Sequence, residues 1–299
     1  MDRTPDLSAS IERTKSWYLE NILGVAFPVL DHGFIRVIDY MGDDNAIDEA
    51  ARVSYGAGTK RTSEAQGLIN YLMAHDHTSP FEMCEIKFHL KLPIFVMRQL
   101  VRQRMASLNE YSGRYSVMKD EFYIPSLEQI RQQSTDNKQG RGEEVPRNQS
   151  GFVKVEMEVL NERAHTLYEF LISDDVNLAR EIARISLPIS IYTECYWKID
   201  LHNLFKFLKA RTDSHAQYEI RVYADIMETM IQQWVPIAYT AFVNHKKSAI
   251  SFSGSEQKVL RIALASPSLL DPEIVPEYPG VSFTKREWRD FVAKVQTLL

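Results

Sequence analysis

Cysteine is nearly absent: the 299 residues hold two, Cys84 and Cys195, in no CxxC or Cys/His spacing. That excludes a disulfide framework and a zinc site built on thiolates. It also makes each thiol a small core residue before it is a nucleophile. Two thiols without a framework fit a reducing compartment, so a cytoplasmic location is expected. No apolar run approaches the ~20 residues of a membrane span, and the first residues, MDRTPDLSASIERTKSW, lack the apolar core of a signal peptide. There is no excess of positive charge either. A net charge of −5 argues against nucleic acid or an acidic membrane as partner. Phosphate-loop and nucleophile-elbow motifs are missing. The nearest approach to a dinucleotide fingerprint, Gly56 to Arg61, lacks its third glycine and follows no convincing strand. A dinucleotide, if bound, is held outside a Rossmann crevice.

What is present is ordinary globular material, 44% hydrophobic and 25% charged, long enough to bury a sizeable core. Residues 1–30 read as an N-terminal appendage, with Ile11, Tyr18, Ile22 and Leu23 on one face of a short helix ended by Gly24 and Pro28. Phe34 to Ile38 reads as a strand, and Asp43 or Asp44 offers the cap of a helix carrying Ile47, Ala50 and Ala51. Residues 64–74 repeat apolar positions at helical spacing. Residues 85–92 alternate, with Ile86, Phe88, Leu90 and Leu92 against Glu85, Lys87, His89 and Lys91. Period two with one wet face is the habit of antiparallel sheets. Pro93 then opens a helix with Ile94, Met97 and Val101 on its apolar stripe.

Residues 131–151 contain one large apolar residue, Val145, and read as a solvated, mobile insertion. From Val153 to Leu171 steps of three and four predict one helix, and Leu178 to Ile185 another. Ile189 to Trp197 has strand composition. Residues 200–211 and 214–234 carry helical spacing, and Thr284 to Glu287 forms a capping box ahead of Trp288, Phe291, Val292 and Val295. The expected class is α+β, an antiparallel sheet packed with helices. The expected division is 1–30, 31–245 and a C-terminal extension, 246–299.

The densest polar segment runs from Arg98 to Tyr115. Arg98 and Arg102 would stand one turn apart on a helix, with Arg104 pointing to nearly the opposite side. Such a helix end offers guanidinium groups to two separate anions, and the rigid fork of arginine suits phosphate. Ser112-Gly113-Arg114 supplies a hydroxyl, a bare backbone and a further cation. The bland alternative is a solvated charged helix face. In a second cluster, Arg211 to Glu219, Ser214 and Gln217 form a capping box that would place Arg211 near free helix amides. His215 and Glu219, one turn apart, can simply bond each other. A third cluster, His75 to Glu82, matches no metal-ligand spacing. Arg184, alone on a helix, reads as a surface charge.

Arg102-Gln103-Arg104 followed by Ser112-Gly113-Arg114-Tyr115 resembles the Arg-His-Arg…Ser signature of flavin-dependent thymidylate synthases. Ala51 to Tyr55, His77-x-x-Pro80-Phe81-Glu82, Pro93 to Val96, Glu181-x-x-Arg184 and Arg211-x-Asp213-x-His215-Ala216-x-x-Glu219 are similar to that family in the same order. The set spans about residues 31–245. The resemblance implies a homotetramer with active sites where subunits meet, converting dUMP to dTMP with 5,10-methylene-tetrahydrofolate and FAD reduced by NADPH. It implies dUMP contacts at Gln99, Arg102, Glu110, Tyr111, Ser112, Gly113, Arg114, Arg184 and Arg211. Arg184 would come from a neighbouring subunit, and Arg211 would face the uracil ring as the catalytic cation. Flavin contacts would fall on Ser79, Arg102, Gln103, Arg104, Glu110, Asp200, His202 and Lys206, with His77 near the folate and no metal. Gln103, Asp200 and Lys206 depart from the family pattern, all on the flavin side. The rival readings are a nucleotide- or RNA-binding module without catalysis, and a metal-dependent phosphohydrolase using His75, His77 and Glu82.

Overall fold

The computed structural model describes residues 13–53, 65–135, 138–265 and 285–296. The chain divides into two compact units, Met1–Lys246 and Lys247–Leu299.

The first unit is built on an antiparallel sheet whose middle strand is β3 (Glu85–Pro93). Ile86, Phe88, Leu90 and Leu92 are buried on one face, as period two requires. Lys91, on the other face, is buried as well and donates to Glu121 at 2.7 Å. β3 pairs on one side with β2 (Gly33–Met41) and on the other with β7 (Tyr192–Asp200), which puts Phe88 level with Val37 and Trp197. β1 (Ala26–Val29) closes one edge beyond β2, and β4 (Ser107–Glu110) closes the other beyond β7. β7 lies three residues downstream of the expected stretch at both ends, because its pairing with β3 decides the register and not its composition.

Helices cover the apolar face. α1 (Trp17–Ile22) precedes the sheet, and Leu19 is fully buried in its core. Residues 17–30 are therefore part of the fold and not an appendage. α2 (Asp44–Arg52) is capped by Asp43, which accepts from Asn45 N at 2.9 Å and Ala46 N at 3.0 Å. α3 (Ala65–Ala74), α4 (Ser79–Glu82) and α5 (Ile94–Leu100) follow. Gly56 to Arg61, with Ser54 and Tyr55, lies outside the described residues.

The hairpin β5 (Arg131–Gln133) and β6 (Arg141–Glu144) occupies the segment expected to be mobile. It is anchored by polar contacts, chiefly Arg141 to the buried Glu219, so the lack of apolar residues misled the expectation. α6 (Arg147–Ile172) is one helix, as its periodicity predicts, but Phe152, Leu160, Leu167 and Phe170 on it are exposed. Its stripe does not face the core of its own chain.

α7 (Arg180–Ala183) continues as a 3₁₀ turn through Ser186. α8 (Leu201–Arg211), α9 (Tyr218–Trp234) and α10 (Pro236–Phe242) complete the layer. The expected capping box at Ser214 does not form: α9 starts at Tyr218 and its cap residue Gln217 makes no side-chain cap bond. Tyr223 on α9 donates to the Lys91 carbonyl. A side chain at Gly33 would put its Cβ 2.1 Å from the Tyr223 hydroxyl oxygen, so only glycine admits this close approach. Asp44, buried, accepts from the α10 amides of Ile237 at 3.0 Å and Ala238 at 2.8 Å, satisfying donors that a helix start leaves open.

The second unit pairs α11 (Gly254–Ala265) with α12 (Lys285–Gln296) around Val259, Trp288, Phe291, Val292 and Val295. Thr284 of the expected capping box lies outside the described residues.

Candidate active site

The polar residues singled out by sequence fall into three groups. The first forms where α5 and α8 end. Arg211 is the last residue of α8, and its guanidinium donates to the Gln99 carbonyl at 3.5 Å. The Gln99 side chain in turn donates to Gln217 Oε1. Arg211 thus stands at a helix C-terminus and not beside free amides. α5 stops at Leu100, so Arg102, Gln103 and Arg104 lie in the turn after it and not on a continuing helix face. The Arg102 and Gln103 amides close that turn on Gln99 and Leu100.

The second group follows β4. Glu110 accepts from Thr193 Oγ1 at 2.9 Å, and the Tyr111 amide donates to the Glu194 carbonyl at 2.8 Å. Ser112 organises the next turn: its carbonyl accepts from Tyr115 and Ser116, and its hydroxyl from the Arg114 amide at 3.3 Å. Gly113 is buried, and a Cβ there would lie 2.9 Å from Met118 Sδ and 3.3 Å from Arg184 Cδ. Glycine at this point lets the Arg184 side chain pass against the backbone. Arg114 pairs with Glu181 at 3.2 Å, and Arg180 donates to the Tyr115 carbonyl at 2.8 Å. Ser112, Gly113, Arg114 and Arg184 are therefore gathered within one chain. Among the described residues, no hydrogen bond or ion pair joins them to Gln99 and Arg211.

The third group lines a cavity of about 220 Å³ between α3, α4, α8 and α10. Phe81, Phe205 and Phe242 make an apolar floor, and the rim carries the cations Lys206, Lys209 and Lys246, with Asp76, His77 and His202 among them. Ser79 opens α4 beside the rim residue Thr78. Burial, with the Lys206 charge beside it, pushes the His202 pKa below its ordinary value, so the imidazole is neutral at pH 7. Hydrogen bonding and charge from Lys246 hold Asp76 below the usual carboxylate range. Asp200 uses both oxygens on Asn203, accepting from its amide at 2.9 Å and its side chain at 2.8 Å. It caps α8, and Asp and Asn cap equally well, which explains why Asp is tolerated where the pattern has Asn. α8 carries His202 near its start, Lys206 at its middle and Arg211 at its end, the first about 13 Å and the second about 7.5 Å from Arg211 along the axis at ~1.5 Å per residue.

Sequence reasoning missed Lys209, Lys246 and Gln217. Lys209 was findable, being three residues beyond Lys206 on the same helical face. Lys246 and Gln217 join their clusters only through long-range packing. The His215–Glu219 bond that their spacing allows does not form: His215 pairs with Asp213 at 2.8 Å, while Glu219 serves Arg141, Tyr123 and Gln217.

Cations and thiols differ sharply. Among the described residues, Arg98, Arg102, Arg104 and Arg184 form no ion pair. Cys84 and Cys195 are buried, and burial, reinforced by nearby carboxylates, pushes both thiols up to about 12. Neither is a thiolate at neutral pH. Among the described residues no three His, Cys, Asp or Glu side chains gather as a metal-ligand set. No helix among them is long and apolar enough to cross a membrane.

Comparison with known proteins places this geometry. Residues 36–237 match the family model described as thymidylate synthase complementing protein. A flavin-dependent thymidylate synthase of Ruegeria pomeroyi is 50% identical over 286 residues, covering 95% of this chain and 92% of that one. One from Gluconobacter oxydans is 50% identical over 279 residues, covering 92% and 89%. Among solved structures, the UMP/dUMP methylase PolB from Streptomyces cacaoi, bound with 5-Br UMP, superposes with a TM-score of 0.65 at 32% identity. The match covers 73% of this chain and 97% of that one. By this identity over nearly its whole length, the chain belongs to the thymidylate synthase complementing protein family and, within it, to the flavin-dependent thymidylate synthases.

Proposed function

We propose that the chain carries out reductive methylation of dUMP to dTMP, with 5,10-methylene-tetrahydrofolate as carbon donor and FAD reduced by NADPH as hydride carrier, releasing tetrahydrofolate. The observation that carries this reading is the contrast just described. Arginines without counter-ions stand ready for anions, while both thiols are buried and protonated. Adding an enzyme thiolate to the pyrimidine is one way to activate its C5 carbon, and these cysteines are unsuited to it.

The cavity's donor set fits a flavin dinucleotide, with an aromatic floor for a ring and the Lys206 and Lys209 cations for phosphates; Arg102 and Arg104, outside that lining, are assigned to the same group by the family resemblance. When bound, the flavin supplies hydride transfer. Neutral His202 donates or accepts a hydrogen bond there without adding charge. Gln103 does the same where the family pattern has His. His77, on the rim, is assigned to the folate in this reading.

Ser112, Gly113, Arg114 and Arg184 form a phosphate cradle in which Glu110 and Tyr111 adjoin the sugar. Gln99, Arg102 and Arg211 meet the uracil ring, where Arg211 stabilises negative charge developing on the pyrimidine. The two sets share no hydrogen bond or ion pair within one chain among the described residues, and in this reading the site is completed when the cradle of one copy meets Arg211 of another. Two features support self-association, which we assign to a homotetramer. The cavity of about 220 Å³ is smaller than the ~300 Å³ at which small-molecule sites begin, and α6 exposes a row of large apolar side chains. Phe152, Leu160 and Phe170 are 65%, 61% and 56% exposed, and large exposed apolar side chains on one helix suit a surface that another copy covers. The cytoplasm is the compartment this reading assigns.

The test is direct. Purified protein should be yellow, bleach with NADPH, and convert dUMP to dTMP when methylene-tetrahydrofolate is supplied. Arg211→Ala should lower turnover by roughly 100-fold or more, the usual effect of losing one electrostatic stabiliser, while the flavin absorbance stays. A colourless protein that forms no dTMP, or unchanged turnover in Arg211→Ala, overturns the reading.

A further inference from the structure

The hairpin β5–β6 and the start of α9 enclose a cleft of about 680 Å³, inside the ~300–1,000 Å³ range of small-molecule sites. Its lining contains three arginines, Arg131, Arg141 and Arg221, together with His215 and five glutamines, and no carboxylate. Arg141 is committed to Glu219. Arg131 donates from Nε to the Glu128 carbonyl at 2.9 Å and has one ion-pair partner, the exposed Glu144 at 3.5 Å, while Arg221 donates to the Ser214 carbonyl and forms no ion pair among the described residues. Two cations are thus available to a ligand.

The cleft adjoins the candidate site. Gln217 lines it and also accepts from Gln99, whose carbonyl receives Arg211. A molecule in the cleft therefore ends two hydrogen bonds from the cation assigned to the uracil ring. A second chamber of about 460 Å³, with Phe95 and Tyr123 in its wall, shares Gln129, Arg131, Arg141 and Gln217 with the first. An apolar, aromatic chamber opening onto a cationic, amide-rich cleft matches a ligand with an aryl body and an anionic, amide-linked tail.

We infer that this cleft is a subsite for the glutamyl tail of the carbon donor. The inference rests on the proposed function, because only that reading brings a folate to Arg211. Arginine forks pair with carboxylates and with phosphates alike. The glutamines separate the two: their amides both donate to and accept from a peptide-linked chain, whereas a fully ionised phosphate only accepts and leaves the amide oxygens unused.

Two measurements on the flavin-loaded protein test this, with Arg131→Gln/Arg221→Gln as the variant. The first is calorimetric binding of tri-γ-glutamate, with pyrophosphate as the competing probe. Wild type should bind the peptide and the variant should lose about tenfold or more, the effect of one charge-assisted hydrogen bond. The second compares methylene-tetrahydrofolate carrying one or several glutamyl residues. Wild type should show a lower KM for the longer tail. The variant should lose that difference while kcat with the single-glutamyl donor stays unchanged, which also shows that it folds. Retained tail dependence in the variant, or pyrophosphate bound more tightly than the peptide, overturns the inference. If wild type forms no dTMP, the catalytic reading fails, and the peptide titration still decides whether the cleft takes carboxylates.

Discussion

Removing the Arg141 cation should loosen the hairpin β5–β6 and make that loosening depend on pH in a specific direction. Glu219 is 1% exposed, accepts from Arg141, and also accepts from the Tyr123 hydroxyl and the Gln217 amide at 2.9 Å each. Burial alone would raise its pKa, but hydrogen bonding and charge from Arg141 outweigh burial and hold it below the ordinary value. Arg141→Met leaves a buried carboxylate with neutral donors only. Breaking a buried pair from one side costs about 3–5 kcal/mol. The Arg141 side chain is 31% exposed, so the pair is partly wet and about 2–4 kcal/mol is the reasonable expectation. Opening the hairpin lets water reach Glu219 and relieves that cost. Amide exchange at Arg131–Gln133 and Arg141–Glu144 should therefore speed up roughly 30- to 1,000-fold at pH 7, at about 1.4 kcal/mol per tenfold.

The pH dependence follows from which way each pKa moves. In the parent protein the depressed carboxyl contributes stability above its unfolded pKa of about 4.3, lost as pH falls through the folded value. In Arg141→Met, burial without the cation raises the folded pKa, so the variant recovers as it takes up a proton. The gap between the two should be widest at neutral pH and narrow on acidification toward ~4. Adding Glu219→Gln to Arg141→Met should restore most of the loss, since a neutral pair carries no charge into the interior. Exchange unchanged in Arg141→Met, or a gap that widens with acid, would refute the reasoning.

Replacing both cysteines, Cys84→Ala and Cys195→Ala, should leave dTMP formation within about twofold, because thiols pushed up to about 12 hold almost no thiolate at pH 7. Turnover abolished at unchanged flavin content would show that a cysteine takes part after all. Mixed assemblies test the shared site: Arg184→Ala and Arg211→Ala subunits, each inactive alone, should regain a fraction of activity when refolded together, since some sites then draw both arginines from intact copies. No recovery would mean that one chain supplies both. Leu160→Asp, on the exposed stripe of α6, should keep its helical circular dichroism while elution volume shifts to a smaller species and turnover falls.

Local chemistry made much of the fold readable. The alternation at Ile86, Phe88, Leu90 and Leu92 marks the central strand because that strand has one buried face, and Asp43 marks a helix start because its carboxylate reaches two amides. β1 was hidden by Pro28, which argues against a strand until the strand is seen to be an edge. The hairpin was hidden because Arg141 and Glu219 anchor it, a pair 78 residues apart with no periodic trace. In the candidate site, Ser112, Gly113 and Arg114 were readable as a turn. The i, i+4 relation of Arg98 and Arg102 was not reliable, because helix α5 ends between them. Where a helix ends depends on what packs beyond it, and spacing alone does not reveal that.

Pairing separates the arginines that hold the fold from those assigned to ligands. Arg52 is bonded to Asp48 at 2.6 Å and Arg141 to Glu219, within a hydrogen-bonded geometry that leaves little for a ligand. Arg102, Arg104 and Arg184 have no such partner among the described residues, and Arg211 has only a distant carbonyl. Arg114 lies between these cases: its ion pair with Glu181 is more than half exposed on both sides, worth under about 1 kcal/mol. A phosphate, doubly charged and able to accept from both arms of the fork, displaces such a carboxylate readily. Cations left uncompensated repel one another, and a phosphorylated ligand reverses that repulsion. Under the proposed function these unpaired charges become the grip on the nucleotide, with Arg184 of one copy and Arg211 of another closing on it.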